Sequence, residues 1–245
     1  MKVGFLIAGV QKGGTTSLDS YLRQHPAIGM ARRKEVHFFD DEKAFGQGTP
    51  SYDPYHAEFD TQNDVVIRGE ATPIYTYWSE APRRIWDYNA RMRIIVLLRN
   101  PIERAWSHWK MTRKLGAEEL DFSEAIRTET ERCRAALPFQ HAMFSYVDRG
   151  FYSEQIRRLR RFFPEEQLLF IKSEDFFRDA QSALHGICRF LSVGEMEFDV
   201  QEALNASPGY GAMQEADQEF LRDRFELDIR QTEALLDWQC ADWLG

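Results

Sequence analysis

Four short apolar runs, Val3–Ala8, Val65–Ile67, Arg93–Leu98 and Leu168–Ile171, punctuate the chain. Each is the length of a strand and lacks the strict alternation of a sheet wetted on one face, so they predict strands buried in a parallel sheet. Between them apolar residues recur at helical spacing. Helices are expected from Thr15, ending before Gln24-His25-Pro26, and after Ser79, with Pro82 in the first turn. Further helices are expected over Ile102–Lys114, with Asn100 as cap and Pro101 at the first position, and over Phe122–Ala136, capped by Asp121 or Ser123. Phe151–Phe163, a segment through Leu184, Ile187 and Phe190-Leu191, and a long amphipathic stretch over Glu215–Leu236 complete the series. Strands alternating with helices predict an α/β fold, a central parallel sheet flanked by helices in a single domain spanning 1–245. Its ligand site is expected outside the carboxyl ends of the strands.

The first strand runs into Gly9-Val-Gln-Lys12-Gly-Gly-Thr-Thr-Ser17, a glycine turn that opens a helix. Gly13 and Gly14 permit a tight turn and close backbone approach, while Thr15, Thr16 and Ser17 sit where free amides and the positive end of the helix dipole converge. Such a place suits a phosphate or sulfate. It is not the nucleoside-triphosphate loop, which requires lysine after the second glycine of its spacing; here Thr15 follows Gly14, and the lysine is Lys12, inside the turn. Arg99 stands at the tip of the most apolar strand, and Ser107 lies two turns into the following helix, placed to share one ligand group if that helix folds back. Glu35 and His37 are two residues apart in a charged segment ending in Phe38-Phe39-Asp40; in an extended chain both face one side.

Composition narrows the field. A chain of 245 residues with 43% hydrophobic and 29% charged side chains describes a soluble globular protein, and a formal net charge of -8 argues against nucleic-acid partners. An anionic ligand must then be held by local cations. Cys133, Cys188 and Cys240 fit neither a disulfide framework nor a zinc site, and the six histidines show no tight ligand spacing, so no metal is expected. No run suits a membrane span or secretory leader, which points to a cytoplasmic protein without membrane contact. The arginines 157, 158, 160 and 161 read as a solvated helix face in preference to a polyanion-binding one.

Taken together, Gly9–Ser17, Lys34-Glu-Val-His-Phe-Phe-Asp40 and Leu98-Arg-Asn-Pro-Ile-Glu-Arg-Ala-Trp-Ser107 resemble the sulfotransferases that use 3′-phosphoadenosine 5′-phosphosulfate (PAPS), above all the heparan sulfate type and its bacterial relatives. Gly69–Tyr75, Gly150–Tyr152, Arg161–Pro164 and Asp237–Leu244 extend the resemblance along the chain. It implies a P-loop-like sulfotransferase fold, PAPS as co-substrate and adenosine 3′,5′-bisphosphate (PAP) as product. Lys12, Gly13, Gly14, Thr15, Thr16 and Ser17 would hold the 5′-phosphosulfate, Arg99 and Ser107 the 3′-phosphate, with Gly209 and Tyr210 in a loop over the nucleotide. Glu35 would be the general base, supported by His37 and Asp40, with Glu70 also on the side of a carbohydrate or small-molecule acceptor.

One position departs from the pattern. Heparan-type members usually carry an acceptor-orienting lysine where this chain has Ala71, which argues against a heparan-like polyanionic acceptor. Two other functions compete with PAPS-dependent transfer: a nucleoside-triphosphate kinase-like enzyme, and a noncatalytic nucleotide-binding module. Oligomeric state is open.

Overall fold

The computed structural model describes residues 2–60, 65–200 and 210–245. Five strands, β1 (Phe5–Gly9), β2 (Ile28–Met30), β3 (Ile67–Ala71), β4 (Arg93–Leu98) and β5 (Leu168–Lys172), form one sheet in the order β2-β3-β1-β4-β5. β1 pairs in parallel with β3 and β4, and β2 with β3. Non-sequential neighbours require crossovers, and the helices supply them: α1 (Thr15–Leu22) lies between β1 and β2, and α4 (Ala81–Tyr88) between β3 and β4. The expected α/β class with a parallel central sheet is what the chain forms.

The chain clusters into two compact units. The first comprises residues 1–97 and 158–204, the second 98–157 and 205–245. In the first, Phe5, Ile7, Ile95 and Leu97 of the sheet pack with Leu18 and Leu22 of α1 and with Leu184, Ile187 and Leu191 of a later helix, all at most 1% exposed. Burial of this kind is the main drive for folding. In the second, α5 (Pro101–Lys114) begins as expected, Asn100 accepting from the amides of Ile102 and Glu103, and α6 (Phe122–Ala135) is capped by Asp121, which accepts from Glu124 N at 2.8 Å. α7 (Tyr152–Arg160) follows, and α10 (Glu215–Leu236) has the expected limits.

The second strand differs from expectation. Val66 is 68% exposed, and β3 instead runs through Arg68-Gly69-Glu70. The span follows the pairing of β3 with β1 and β2, and at Gly69 a Cβ would lie 2.3 Å from the ring of Phe5, its partner in the register. Three short elements had no periodicity long enough to register: β2, α2 (Glu42–Phe45) and α3 (Asp53–His56). The helix expected after β5 is two, α8 (Ser173–Arg178) and α9 (Ala180–Leu191), divided at Asp179, whose side chain caps α9 by accepting from Ser182 N.

Candidate active site

The turn between β1 and α1 is built from backbone. Val10 N donates to Leu97 O at 2.9 Å, Gly13 N donates to Val10 O at 2.9 Å, and the carbonyl of Gly13 accepts from Ser173 Oγ at 2.5 Å. Lys12 and Gly14 have left-handed φ of 71° and 99°, which turns the chain sharply enough for Gly14 to cap α1 without any side-chain bond. Leu18 N makes an i→i−4 bond, to Gly14 O, so the amides of Thr15, Thr16 and Ser17 lie in the first turn, whose donors point out of the helix. Thr15 and Ser17 are buried and Thr16 is exposed.

The loop after β2 carries the acid–base groups of the first unit. Glu35 N donates to Ala71 O at 2.9 Å, which ties the loop to the carboxyl end of β3. Contrary to the extended segment expected, Glu35 and His37 adopt φ of 60° and 55°, a region that costs a side-chain-bearing residue energy and persists only when neighbours hold it. The fold still brings the two together. His37 Nε2 lies 3.5 Å from Glu35 Oε2, His37 Nδ1 lies 2.8 Å from Asp40 Oδ2, and Lys34 Nζ donates to Glu35 Oε1. Partial burial raises the Glu35 pKa, but the hydrogen bonds from His37 and Lys34 outweigh it and bring it to about 2. The bonds to Asp40 and Glu35 hold His37 up at about 9 against its own desolvation. At neutral pH Glu35 is therefore a carboxylate and His37 an imidazolium. Phe38 and Phe39 anchor it, packing on Tyr55, Phe45 and Tyr75.

Arg99 and Ser107 belong to the second unit. Arg99 follows β4 directly, with its guanidinium 3.8 Å from Glu103 and its carbonyl accepting from Tyr152 Oη at 2.8 Å. Ser107 is half-buried on α5. Tyr152 is itself held by α10, because Asp228 accepts from Tyr152 N at 2.7 Å and from Ser153 Oγ at 2.5 Å, capping α7 from a distant part of the chain. Trp243, 1% exposed in the closing segment, packs against Tyr152, and its carbonyl accepts from Asn100.

Residues 3–206 match the sulfotransferase domain family. The chain belongs to that family. It is 30% identical over 217 residues to mouse (Mus musculus) heparan sulfate glucosamine 3-O-sulfotransferase 6, covering 86% of this chain and 58% of the relative. To human (Homo sapiens) heparan sulfate glucosamine 3-O-sulfotransferase 3B1 it is 29% identical over 213 residues, covering 86% and 52%. The chain thus spans between half and three-fifths of the length of these curated relatives. The crystal structure of a sulfotransferase from Alicyclobacillus acidocaldarius superposes with a TM-score of 0.86 at 28% identity over 100% of both chains. A mouse sulfotransferase complexed with PAP shares the fold, with a TM-score of 0.60 and 13% identity over 98% of this chain and 90% of that one.

Within this sulfotransferase domain, Glu70 is a core residue. It is fully buried on β3, its two carboxylate oxygens accepting from Thr72 Oγ1 at 2.5 Å and Tyr75 Oη at 2.8 Å. Burial, and the charge of Asp40, push its pKa to about 7 against those bonds. Glu70, expected on the acceptor side, lies beneath the loop that carries Glu35 and His37. Gly209 lies outside the described residues, while Tyr210 packs edge-on against Trp109 of α5. Arg104 is a core residue, donating to Tyr146 O. The arginines of α7 are hydrogen-bonded within the protein: Arg157 with Ser153 and Gln231, Arg158 with Tyr77 O, and Arg160 with Glu165. Among the described residues no group of three or more His, Cys, Asp or Glu is arranged to hold a metal ion, and no helix is long and apolar enough to cross a membrane.

Sequence reasoning missed Thr72, Tyr75, Tyr152 and Asp228. Thr72, Tyr75 and Tyr152 stand inside quoted motif segments, which was signal enough. Asp228 sits in an acidic amphipathic helix, where nothing marks it from its solvated neighbours.

Proposed function

We propose that this domain transfers the sulfuryl group of PAPS to a hydroxyl of a carbohydrate or small metabolite, an amine being the less favoured acceptor. The observation that carries the proposal is Glu35, held between Lys34 and His37 and tied by its amide to the carboxyl end of β3. The residues present fit the nucleotide: Lys12 and the first-turn amides of α1 would hold the 5′-phosphosulfate, and Arg99 with Ser107 would hold the 3′-phosphate. PAPS supplies an activated sulfuryl group. The acceptor oxygen attacks sulfur in line, Glu35 takes its proton, and the bond from sulfur to the phosphate oxygen breaks with its electron pair passing to PAP. Lys12 and the helix terminus offset the charge gained there.

A carboxylate of low pKa is a weak base toward a free hydroxyl. It suffices here, because the hydroxyl turns strongly acidic only as its bond to sulfur forms, and Glu35 stays ionised until then. Ala71, fully buried in the apolar cluster of the sheet, offers no cation to an acceptor, which favours a neutral hydroxyl over a heparan-like polyanion. The kinase-like alternative lacks the lysine after Gly14, and the noncatalytic one leaves the Glu35, His37 and Asp40 constellation without a purpose.

The test is calorimetric titration with PAP, ATP and GTP, followed by an acceptor screen with labelled PAPS in the absence of added metal. Selective PAP binding and labelled product are expected. Binding of ATP or GTP with a Mg²⁺ requirement, or failure to bind PAP, defeats the proposal.

A further inference from the structure

Two hydrogen-bond relays start at Glu70 and end on the amides of the loop above it. Thr72 Oγ1 donates to Glu70 Oε2 at 2.5 Å and accepts from His37 N at 3.5 Å. Tyr75 Oη donates to Glu70 Oε1 at 2.8 Å and accepts from Phe38 N at 3.1 Å and Phe39 N at 3.5 Å. All three side chains, Glu70, Thr72 and Tyr75, are completely inaccessible to solvent. Above its pKa of about 7 the Glu70 carboxylate only accepts, so it draws both hydroxyl hydrogens toward itself and leaves the oxygens' lone pairs facing the loop.

A third tie, Glu35 N to Ala71 O at 2.9 Å, comes from the residue after Glu70. The tied residues include the two whose backbone is left-handed, Glu35 and His37. Burying a carboxyl is costly, which its raised pKa of about 7 expresses, and an apolar residue would spare the strand that cost.

We propose that Glu70 is a positioning residue for sulfuryl transfer: by aiming the hydroxyls of Thr72 and Tyr75 at the loop amides, it keeps His37 in the left-handed conformation that sets its ring between Asp40 and Glu35. Glu70 touches neither nucleotide nor acceptor. It acts through the loop, and a fault in it appears as a misplaced imidazole. The proposal rests on the sulfotransferase reading for its catalytic consequence, but the placement of His37 is measurable without any substrate.

The experiment is an NMR titration of the histidine imidazoles in the full chain, comparing the parent with Tyr75→Phe, Thr72→Val and Glu70→Gln. His37→Asn assigns the resonance. In the parent His37 titrates at about 9. Tyr75→Phe and Thr72→Val each cut one relay while keeping the Glu70 side chain, and because His37 titrates well above the Glu70 value of about 7, a lowered midpoint in them reports lost placement of the ring. Expected is a fall toward the ordinary histidine value of about 6.5 in all three variants. Transfer should fall by as much as about 10²-fold in kcat, the scale of a misplaced catalytic group, while PAP affinity holds. An unchanged His37 midpoint in folded Tyr75→Phe and Thr72→Val, with only the melting temperature lowered, reduces Glu70 to a structural group and overturns the proposal. Should Glu70→Gln fail to fold, the two hydroxyl variants decide the matter alone. Absence of PAP binding in the parent would sink the sulfotransferase reading and leave the titration result standing.

Discussion

The turn that holds Lys12 tolerates no side chain at position 13, and Gly13→Ala measures how closely that turn is clasped. A Cβ on Gly13 would meet Leu97 O at 2.7 Å, Val10 Cγ2 at 3.0 Å and Val10 O at 3.0 Å. Two of these are backbone oxygens, which no rotamer change moves away. Leu97 O also accepts from Val10 N at 2.9 Å, and Gly13 is pinned from its other side by Ser173 Oγ on its carbonyl at 2.5 Å. Relief therefore means pushing β4 away from the turn and stretching the Val10–Leu97 bond. Overpacking of this sort costs about 1–3 kcal/mol, and the weakened hydrogen bond adds about 1 kcal/mol, so a loss of about 2–4 kcal/mol is expected. Because the shifted backbone is the part assigned to the phosphosulfate, PAP affinity should drop as well, about tenfold for each 1.4 kcal/mol of strain relieved in the free protein but not in the complex. Urea denaturation and PAP titration read the two effects. Gly194→Ala is the control, since a Cβ there meets nothing within 4 Å and its φ is not left-handed. A Gly13→Ala protein as stable as Gly194→Ala, with parental PAP affinity, would refute the account of the turn.

Glu35→Gln should keep PAP affinity and lose about 10²–10⁴-fold in transfer, the usual range for a general base; unchanged turnover in a labelled-PAPS assay removes Glu35 from that role. Lys12→Ala should depress turnover and Arg99→Ala should weaken PAP binding, so full activity and affinity in both would reject the nucleotide assignment. Stability should fall as pH rises from about 4.5 to about 7, because burial raises Glu70 and Glu129 to about 7 in the folded protein while the unfolded chain releases these protons earlier. The Glu70 displacement alone corresponds to about 3 kcal/mol, and Glu70→Gln should flatten denaturation midpoints across that window; an unaltered slope contradicts it. His37 contributes stability at low and neutral pH that is lost as pH climbs through about 9, and Glu35 contributes stability above its ordinary range that is lost as pH falls toward about 2.

Elements with strong local signals were legible. Asn100-Pro101 announced the start of α5, Asp121 the start of α6, and the apolar pattern over Glu215–Leu236 gave the whole of α10. These are features of the chain's own neighbours, settled within a turn of helix. β3 was displaced because its limits follow its pairing with β1, from Phe5 with Gly69 to Ile7 with Ala71. The three-residue β2 owes its existence to pairing with β3, from Ile28 with Ile67 to Met30 with Gly69. A pattern along one segment cannot contain a partner that arrives 40 residues later.

The candidate site divides along the same line. Lys12 and the turn were legible since a glycine turn before a helix is local chemistry. Glu35, His37 and Asp40 were found by motif, but their two-residue spacing suggested an extended segment, whereas left-handed backbone at 35 and 37 brings them together. Such a conformation is not written in local propensity, which disfavours it; it has to be imposed by groups elsewhere. The structure supplies them in Ala71 O, Thr72 and Tyr75, all following Glu70 within five residues. A short segment at the end of one strand thus holds the conformation of a loop more than 30 residues before it. That dependence explains how one motif can carry the acid–base groups while a second, chemically quieter motif carries the geometry they need, and why a substitution in the second should register first as a displaced imidazole and only then as lost turnover.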